Sequence, residues 1–122
     1  MSIRGKEQKF QQVKSDIEFK IIMGEYKVGE RIPSIRTMEK EYPIGSVWAR
    51  NILEKMCQEK IVILEPGKGY KVSDQAVEIL TDKYTKEIYD AFLQACEDAV
   101  KIGIDPVKLV QEIMNSGKIK QV

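Results

Sequence analysis

The chain contains no histidine. That one absence removes Ser-His-Asp and Cys-His catalysis, imidazole acid–base chemistry and nearly all zinc sites. Its two cysteines, Cys57 and Cys96, lie far apart, and neither belongs to a CxxC pair or a ligand-spaced cluster. Reduced, half-buried thiols are expected, with no metal. No apolar run approaches the ~20 residues that span a bilayer, and the opening MSIRGKEQKF is too polar for a secretory signal. A cytoplasmic protein with no membrane partner follows as the expectation. The nearest approach to a phosphate loop, Gly24-x4-Gly29, continues as Glu30-Arg31 in place of Lys-Ser/Thr, so it fails as one. Scattered carboxylates such as Glu39/Glu41 and Glu97/Asp98 fall on polar faces, where solvation is the ordinary explanation. Neither an enzyme nor a cofactor is expected.

What is present is ordinary for a globular chain: 122 residues, 43% hydrophobic and 32% charged. The net charge of +1 conceals an asymmetry. Residues 1–72 hold 14 Lys/Arg against 10 Asp/Glu, whereas residues 73–122 hold 6 against 9. Only the first part is suited to meet a polyanion.

Phe10, Val13, Ile17 and Ile21 recur at helical spacing and predict a helix from about residue 6 to Met23, closed by Gly24. GEYKVGERIP then reads as a loop. Ser34 can cap a short second helix that buries Ile35 and Met38 and stops at YPIG, because Pro43 cannot continue it. A third helix is predicted from Gly45-Ser46 to about Glu59, with Ala49, Ile52, Leu53 and Met56 facing inward. IVIL and YKV are short strands, joined by the glycine-rich tip that places Lys68 between Gly67 and Gly69. Helix, helix, tight turn, helix and hairpin make a winged helix-turn-helix.

From Gln75 the texture changes. Val77, Leu80, Tyr84, Ile88, Ala91, Ala95, Ala99 and Ile102 describe one long helix, capped by Ser73 or Asp74 and closed by Gly103. Asp105-Pro106 opens a last helix over roughly 106–115, and KIKQV is expected to fray. The long helix carries a second apolar set, Ile79, Phe92, Leu93, Cys96 and Val100. Two apolar faces need two partners, either a second subunit or a fold-back of the last helix. The fold class expected is mainly α with a small β-hairpin. Residues 1–72 form the winged helix-turn-helix and residues 73–122 a helical dimerisation region using Leu80, Tyr84, Ile88, Phe92, Ala95 and Ala99.

With these elements in place, residues 32–72 resemble the DNA-binding domain of the GntR family of bacterial regulators, without gaps. The family opens its second helix with Leu-Pro-Ser-x-Arg, where this chain reads IPSIR, residues 32–36. Its wing ends in Gly-x-Gly-x-x-Val with a basic residue between the glycines, where this chain reads GKGYKV, residues 67–72. The resemblance implies that Lys68 enters or flanks a DNA minor groove, with Gly67 and Gly69 allowing close backbone approach. The short two-helix C-terminal part is similar to the YtrA-type subfamily, whose members pair as homodimers through those helices. Double-stranded DNA and a second copy are the partners this implies; the sequence names no small effector.

The recognition helix departs from the family pattern Ser-Arg-x-Thr-Val-Arg, reading GSVWAR over residues 45–50. Gly45 can still cap. Ser46 stands where the family has its base-reading arginine and Trp48 where it has a phosphate-contacting threonine, while Arg50 is retained. Lys60 replaces a glycine that takes a left-handed conformation. The DNA-binding set expected is therefore Ser34, Arg36, Gly45, Ser46, Val47, Trp48, Arg50, Gly67, Lys68 and Gly69. Arg36 could instead pair with Glu39, Arg50 could meet a guanine edge or a phosphate, and Trp48 could be core or lie against DNA. A homodimeric DNA-binding regulator, a repressor at an inverted-repeat operator, is the reading expected. A protein-interaction module whose DNA reading has decayed is the alternative.

Overall fold

The computed structural model describes residues 3–120, with side chains from residue 8. Residues 121 and 122 of the expected frayed tail lie outside these described residues. The element order is α1 (Ile3–Ile22), α2 (Ile35–Glu41), α3 (Ser46–Gln58), β1 (Val62–Glu65), β2 (Gly69–Val72), α4 (Ala76–Lys101) and α5 (Pro106–Asn115). The chain forms two compact units, Met1–Lys83 and Tyr84–Val122. The first is mainly helical with a two-stranded antiparallel hairpin, the winged helix-turn-helix arrangement.

Its core is built from the stripes the spacing predicts. Val13, Ile17 and Ile21 of α1 are buried with Met38 of α2 and with Ala49, Ile52, Leu53 and Met56 of α3. Ile61, Val62 and Val72 bring in the hairpin, and Ala76 and Leu80 the first turns of α4. Burying each of the larger side chains is worth about 1.5–3 kcal/mol. The first unit thus extends past the wing to Lys83. Leu80 is fully buried, so, against expectation, it has no surface to offer a second copy.

Segment 29–32, expected to be loop, adds a third partner to the hairpin. Gly29 and Ile32 donate to the carbonyls of Val72 and Tyr70, and the Val72 amide donates to Glu30. An isolated bridge pairs Arg31 with Lys71. Strand β1 runs antiparallel to β2 with Val62 opposite Val72 and Glu65 opposite Gly69.

Helix ends follow local chemistry. The Ser34 hydroxyl accepts from the Thr37 amide, and Asp105 caps α5 through the Val107 amide ahead of Pro106. Ser73 does not cap α4 with its hydroxyl, which donates instead to the Lys60 carbonyl at 2.6 Å. Helix α1 closes when Gly24 bonds to Ile21 and Glu25 to Lys20, a Schellman motif with glycine at a φ of 81°. At the end of α3 the same motif forms around a lysine: Lys60 bonds to Cys57, Ile61 bonds to Met56, and Lys60 sits at a φ of 65°. An L side chain there costs about 1 kcal/mol or more.

Two charged clusters organise α1. Lys14 is 3% exposed and lies 2.9 Å from Glu18 and 2.7 Å from Glu59 at the end of α3. Lys83 of α4 reaches the same Glu18 at 3.1 Å. Burial alone would lower the Lys14 pKa, but hydrogen bonds to Glu59 and Glu18 outweigh it and hold the ammonium above its usual range. On another side of α1, Asp16 accepts from the Tyr42 hydroxyl, and Lys20 donates to that hydroxyl at 3.2 Å. Burial and the Asp16 carboxylate push Tyr42 up to about 12. The end of α2 is thereby tied to α1.

Two stability predictions follow. Glu18→Gln leaves two ammonium groups short of a counter-charge, one of them buried, and should cost about 3 kcal/mol in urea unfolding. A change below about 1 kcal/mol would show that the cluster is energetically idle. Lys60→Gly should raise stability by about 1 kcal/mol, since glycine takes this φ without strain; a drop in the urea midpoint would contradict the strain.

Candidate nucleic-acid interface

Helix α3 begins at Gly45, which caps through its backbone with no side-chain bond. Because Ala49, Ile52, Leu53 and Met56 face the core, the phase of the helix is set, and Ser46, Val47 and Arg50 are left exposed. Ser46 and Arg50 stand one turn apart on one side. Val47 is 68% exposed, an apolar side chain at a helix start with no packing role. It suits a thymine methyl group.

Trp48 goes the other way. It is half-buried, and its ring meets Phe10 of α1 edge-on with centroids 5.5 Å apart. This packing is worth about 0.5–1.5 kcal/mol beyond burial, and part of the residue stays exposed. It fixes the start of α3 against α1.

Arg36 is the second residue of α2 and is exposed; no ion pair joins it to Glu39 among the described residues. Ser34, just before it, is occupied with the cap and with the Thr37 hydroxyl at 3.0 Å. Its part is to start α2 and so to aim Arg36.

The wing tip is a tight turn. Pro66 and Gly67 are its central residues, Gly67 has a φ of 74°, and the Lys68 amide returns to the Glu65 carbonyl at 2.9 Å. Proline then glycine with positive φ is the signature of a type II turn. A Cβ added at Gly67 or Gly69 would meet nothing within 4 Å, so glycine is required by conformation and not by lack of room. That empty space leaves the backbone open to close approach. Lys68 is exposed on this tip.

Charge pairing separates the wing's cations. Glu65 binds Arg31 at 2.8 Å and Lys71 at 3.7 Å, and the Arg31 hydrogen bond holds its carboxyl below the usual range. Arg36, Arg50 and Lys68 have no such partner among the described residues. Lys40 of α2 and Lys55 of α3 are likewise exposed and in no ion pair among the described residues, so α2, α3 and the wing together present five such cations.

Sequence reasoning passed over two polar residues of the exposed α3 face, Asn51 and Glu54. The signal was available: they follow Val47 and Arg50 by one turn each. No group of three or more potential metal ligands exists among the described residues, and no described helix is long and apolar enough to cross a membrane.

The second unit is built from the rest of α4 and from α5. Gly103 closes α4 at a φ of 80°, with Ile104 bonding back to Ala99 at 2.9 Å. Phe92, Ala95, Cys96 and Ala99 of α4 line one cavity of about 90 Å³ with Pro106, Leu109, Val110 and Ile113. The fold-back of the last helix therefore occurs, and it covers Ala99, which is 7% exposed. Ala99 joins Leu80 as a residue expected at a dimer contact but already buried within one chain. Tyr84 is half-buried and Ala95 exposed, while Ile88, Tyr89, Phe92 and Leu93 remain 56%, 67%, 60% and 47% exposed.

Comparison with known proteins bears on the first unit most directly. A family model described as bacterial regulatory proteins, gntR family, matches residues 9–72. A GntR family transcriptional regulator from Listeria monocytogenes is similar in structure, with a TM-score of 0.74 and 18% identity, over 87% of this chain and 92% of that one. A transcriptional regulator from Oenococcus oeni gives 0.71 and 16% over 88% of both chains. BusR of S. agalactiae, solved with its busAB-promotor DNA, gives 0.53 and 19% over 93% of this chain and 58% of that one. No curated protein matches the sequence significantly.

Proposed function

The chain belongs to the gntR family of bacterial regulatory proteins, DNA-binding transcription regulators and not enzymes, and we propose that it acts as a homodimeric repressor at an inverted-repeat operator. Its short two-helix C-terminal part is that of the YtrA-type subfamily, and within residues 73–122 the dimer surface is supplied by the second unit, Tyr84–Val122. DNA is met by α3 in the major groove, by Arg36 at the start of α2, and by Lys68 at the wing tip. The observation that carries this reading is that Arg36, Arg50 and Lys68, each exposed and in no ion pair among the described residues, stand on α2, α3 and the wing tip of one winged helix-turn-helix. A cation without an internal partner is free to meet phosphate or a base edge. That a protein of the same fold, BusR, is solved on promoter DNA supports the same direction.

The dimer rests on the second unit. Ile88 and Phe92 are one helical turn apart, as are Tyr89 and Leu93, so the four form one exposed apolar patch on α4. Val107, Leu109, Val110 and Ile113 of α5 are likewise 40–63% exposed. Covering a half-exposed side chain of this size is worth on the order of 1 kcal/mol. Association costs about 4–15 kcal/mol, so the α4 patches of two copies, at about 8 kcal/mol together, meet only the lower part of that range and α5 extends the margin. A two-fold pair carries two identical reading helices, and its site takes the form of an inverted repeat with half-sites about 10 bp apart. Repression needs nothing further, because a bound dimer blocks the duplex it covers.

Sedimentation at micromolar concentration should give the mass of a dimer; a monomer would overturn the proposed assembly. In binding assays Arg50→Ala should cost about 1–3 kcal/mol and relax discrimination at one base pair, whereas Lys68→Ala should weaken all sequences alike. Equal loss of selectivity from both would contradict the roles given. Absence of binding to any duplex at low salt would favour a protein-interaction module.

A further inference from the structure

The core residues of α3 set its phase: Ala49, Ile52, Leu53 and Met56 point inward. At 100° per residue the opposite face has Val47, Asn51 and Glu54 along its centre, with Arg50 at its edge. All four are exposed. Arg50 and Glu54 stand at the i,i+4 spacing where opposite charges pair on a helix, yet no ion pair joins them among the described residues. Asn51, too, makes no hydrogen bond there. Beside Val47, the centre of the reading face is therefore an amide and a carboxylate, neither held in a hydrogen bond or ion pair among the described residues, with Tyr70 of β2 near enough to feel the Glu54 charge. A carboxylate facing a polyanion is repelled by every phosphate. Only a donor on the groove floor can favour it, and the cytosine 4-amino group is such a donor. The amide of an asparagine presents one acceptor and one donor edge, which matches the N6 and N7 of adenine.

We propose that Asn51 and Glu54 are the specificity-determining residues of α3, Asn51 reading an adenine and Glu54 a cytosine. This deepens the reading of α3 as the groove-entering helix and rests on it. Three residues of helix advance by about 4.5 Å, little more than the ~3.4 Å between base pairs, so the two bases occupy neighbouring pairs of a half-site. Ser46 and Val47 precede them along the helix and lie toward the start of the same half-site.

The test is selection of bound duplexes from a random pool by the full-length protein, run in parallel with Asn51→Ala and Glu54→Gln. Thermal melting confirms that both exposed substitutions leave the fold intact. The wild type should enrich half-sites with adenine and cytosine at adjacent positions. Asn51→Ala should lose about tenfold or more of the adenine preference while cytosine is kept. Glu54→Gln should lose the cytosine preference and bind unrelated duplexes more tightly, since a repelled charge is gone. Specific sites whose base preferences are the same for all three proteins would overturn this assignment and leave the regulator reading standing. A wild type that enriches no sequence would overturn the regulator reading, and the assignment with it.

Discussion

Lys14 holds a charged ammonium almost entirely out of water, between carboxylates supplied by its own helix and by the end of α3, and Lys83 of α4 shares one of them. Removing an ion from water costs several kcal/mol, and only close, well-aligned counter-charges recover it. Helices α1, α3 and α4 must therefore reach their places together, because any one missing leaves a buried charge exposed to the apolar core. The same helix that carries Lys14 carries Phe10 one turn earlier, and Phe10 receives the edge of Trp48. The reading helix is thus held against α1 at both ends, by an aromatic contact at its start and an ion pair at its finish. A base-reading surface needs this, since a small rotation of α3 would carry its polar centre off the groove floor.

The division between paired and unpaired charge follows from where each residue sits. Arg31 and Lys71 near the hairpin's flank find Glu65, and Lys14 and Lys20 on α1 find Glu18, Glu59 or Asp16. Arg36 is at the second position of a seven-residue helix with no acid in its first turn, and Lys68 sits on a three-residue tip. Local geometry leaves them in no ion pair, although Lys68 is near enough to Glu65 to help lower its carboxyl pKa. The acidic C-terminal part meanwhile exposes apolar surface of the kind that marks a protein contact, not a nucleic-acid one.

Much of this was readable from spacing alone. The stripes Val13-Ile17-Ile21 and Ala49-Ile52-Leu53-Met56 are buried as their periodicity requires, and Asp105-Pro106 opens α5. Lys60, read as standing in for a left-handed glycine, does adopt positive φ. What spacing could not reveal were contacts between residues distant in the chain. Lys14 and Glu18 look like an ordinary solvated i,i+4 pair, and their burial depends on Lys83, 65 residues beyond Glu18. The bridge from Arg31 to Lys71 adds a paired backbone segment beside the hairpin where two glycines and a proline suggest loop. Leu80 and Ala99 fit the exposed stripe of a long helix but are covered by elements whose position periodicity does not specify. Part of the site was legible for the opposite reason: the wing tip and the start of α2 are local turns, fixed by proline, glycine and serine in place.

Glu65 has a further effect on how the protein meets the ions around a duplex. By occupying Arg31 and Lys71 it keeps two wing cations from displacing counterions condensed on the DNA. If Arg36 and Lys68 each neutralise one phosphate while Arg50 reads a base, a two-fold pair neutralises about four, and log affinity falls against log salt with a slope near −4. Regulators with ten such contacts fall more than twice as steeply. Over a fourfold rise in salt the difference amounts to a factor of roughly a thousand in affinity. A carboxylate placed on the wing thus moves the burden of recognition from the ion atmosphere to the bases, and makes occupancy of the site less sensitive to the ionic strength of the cell.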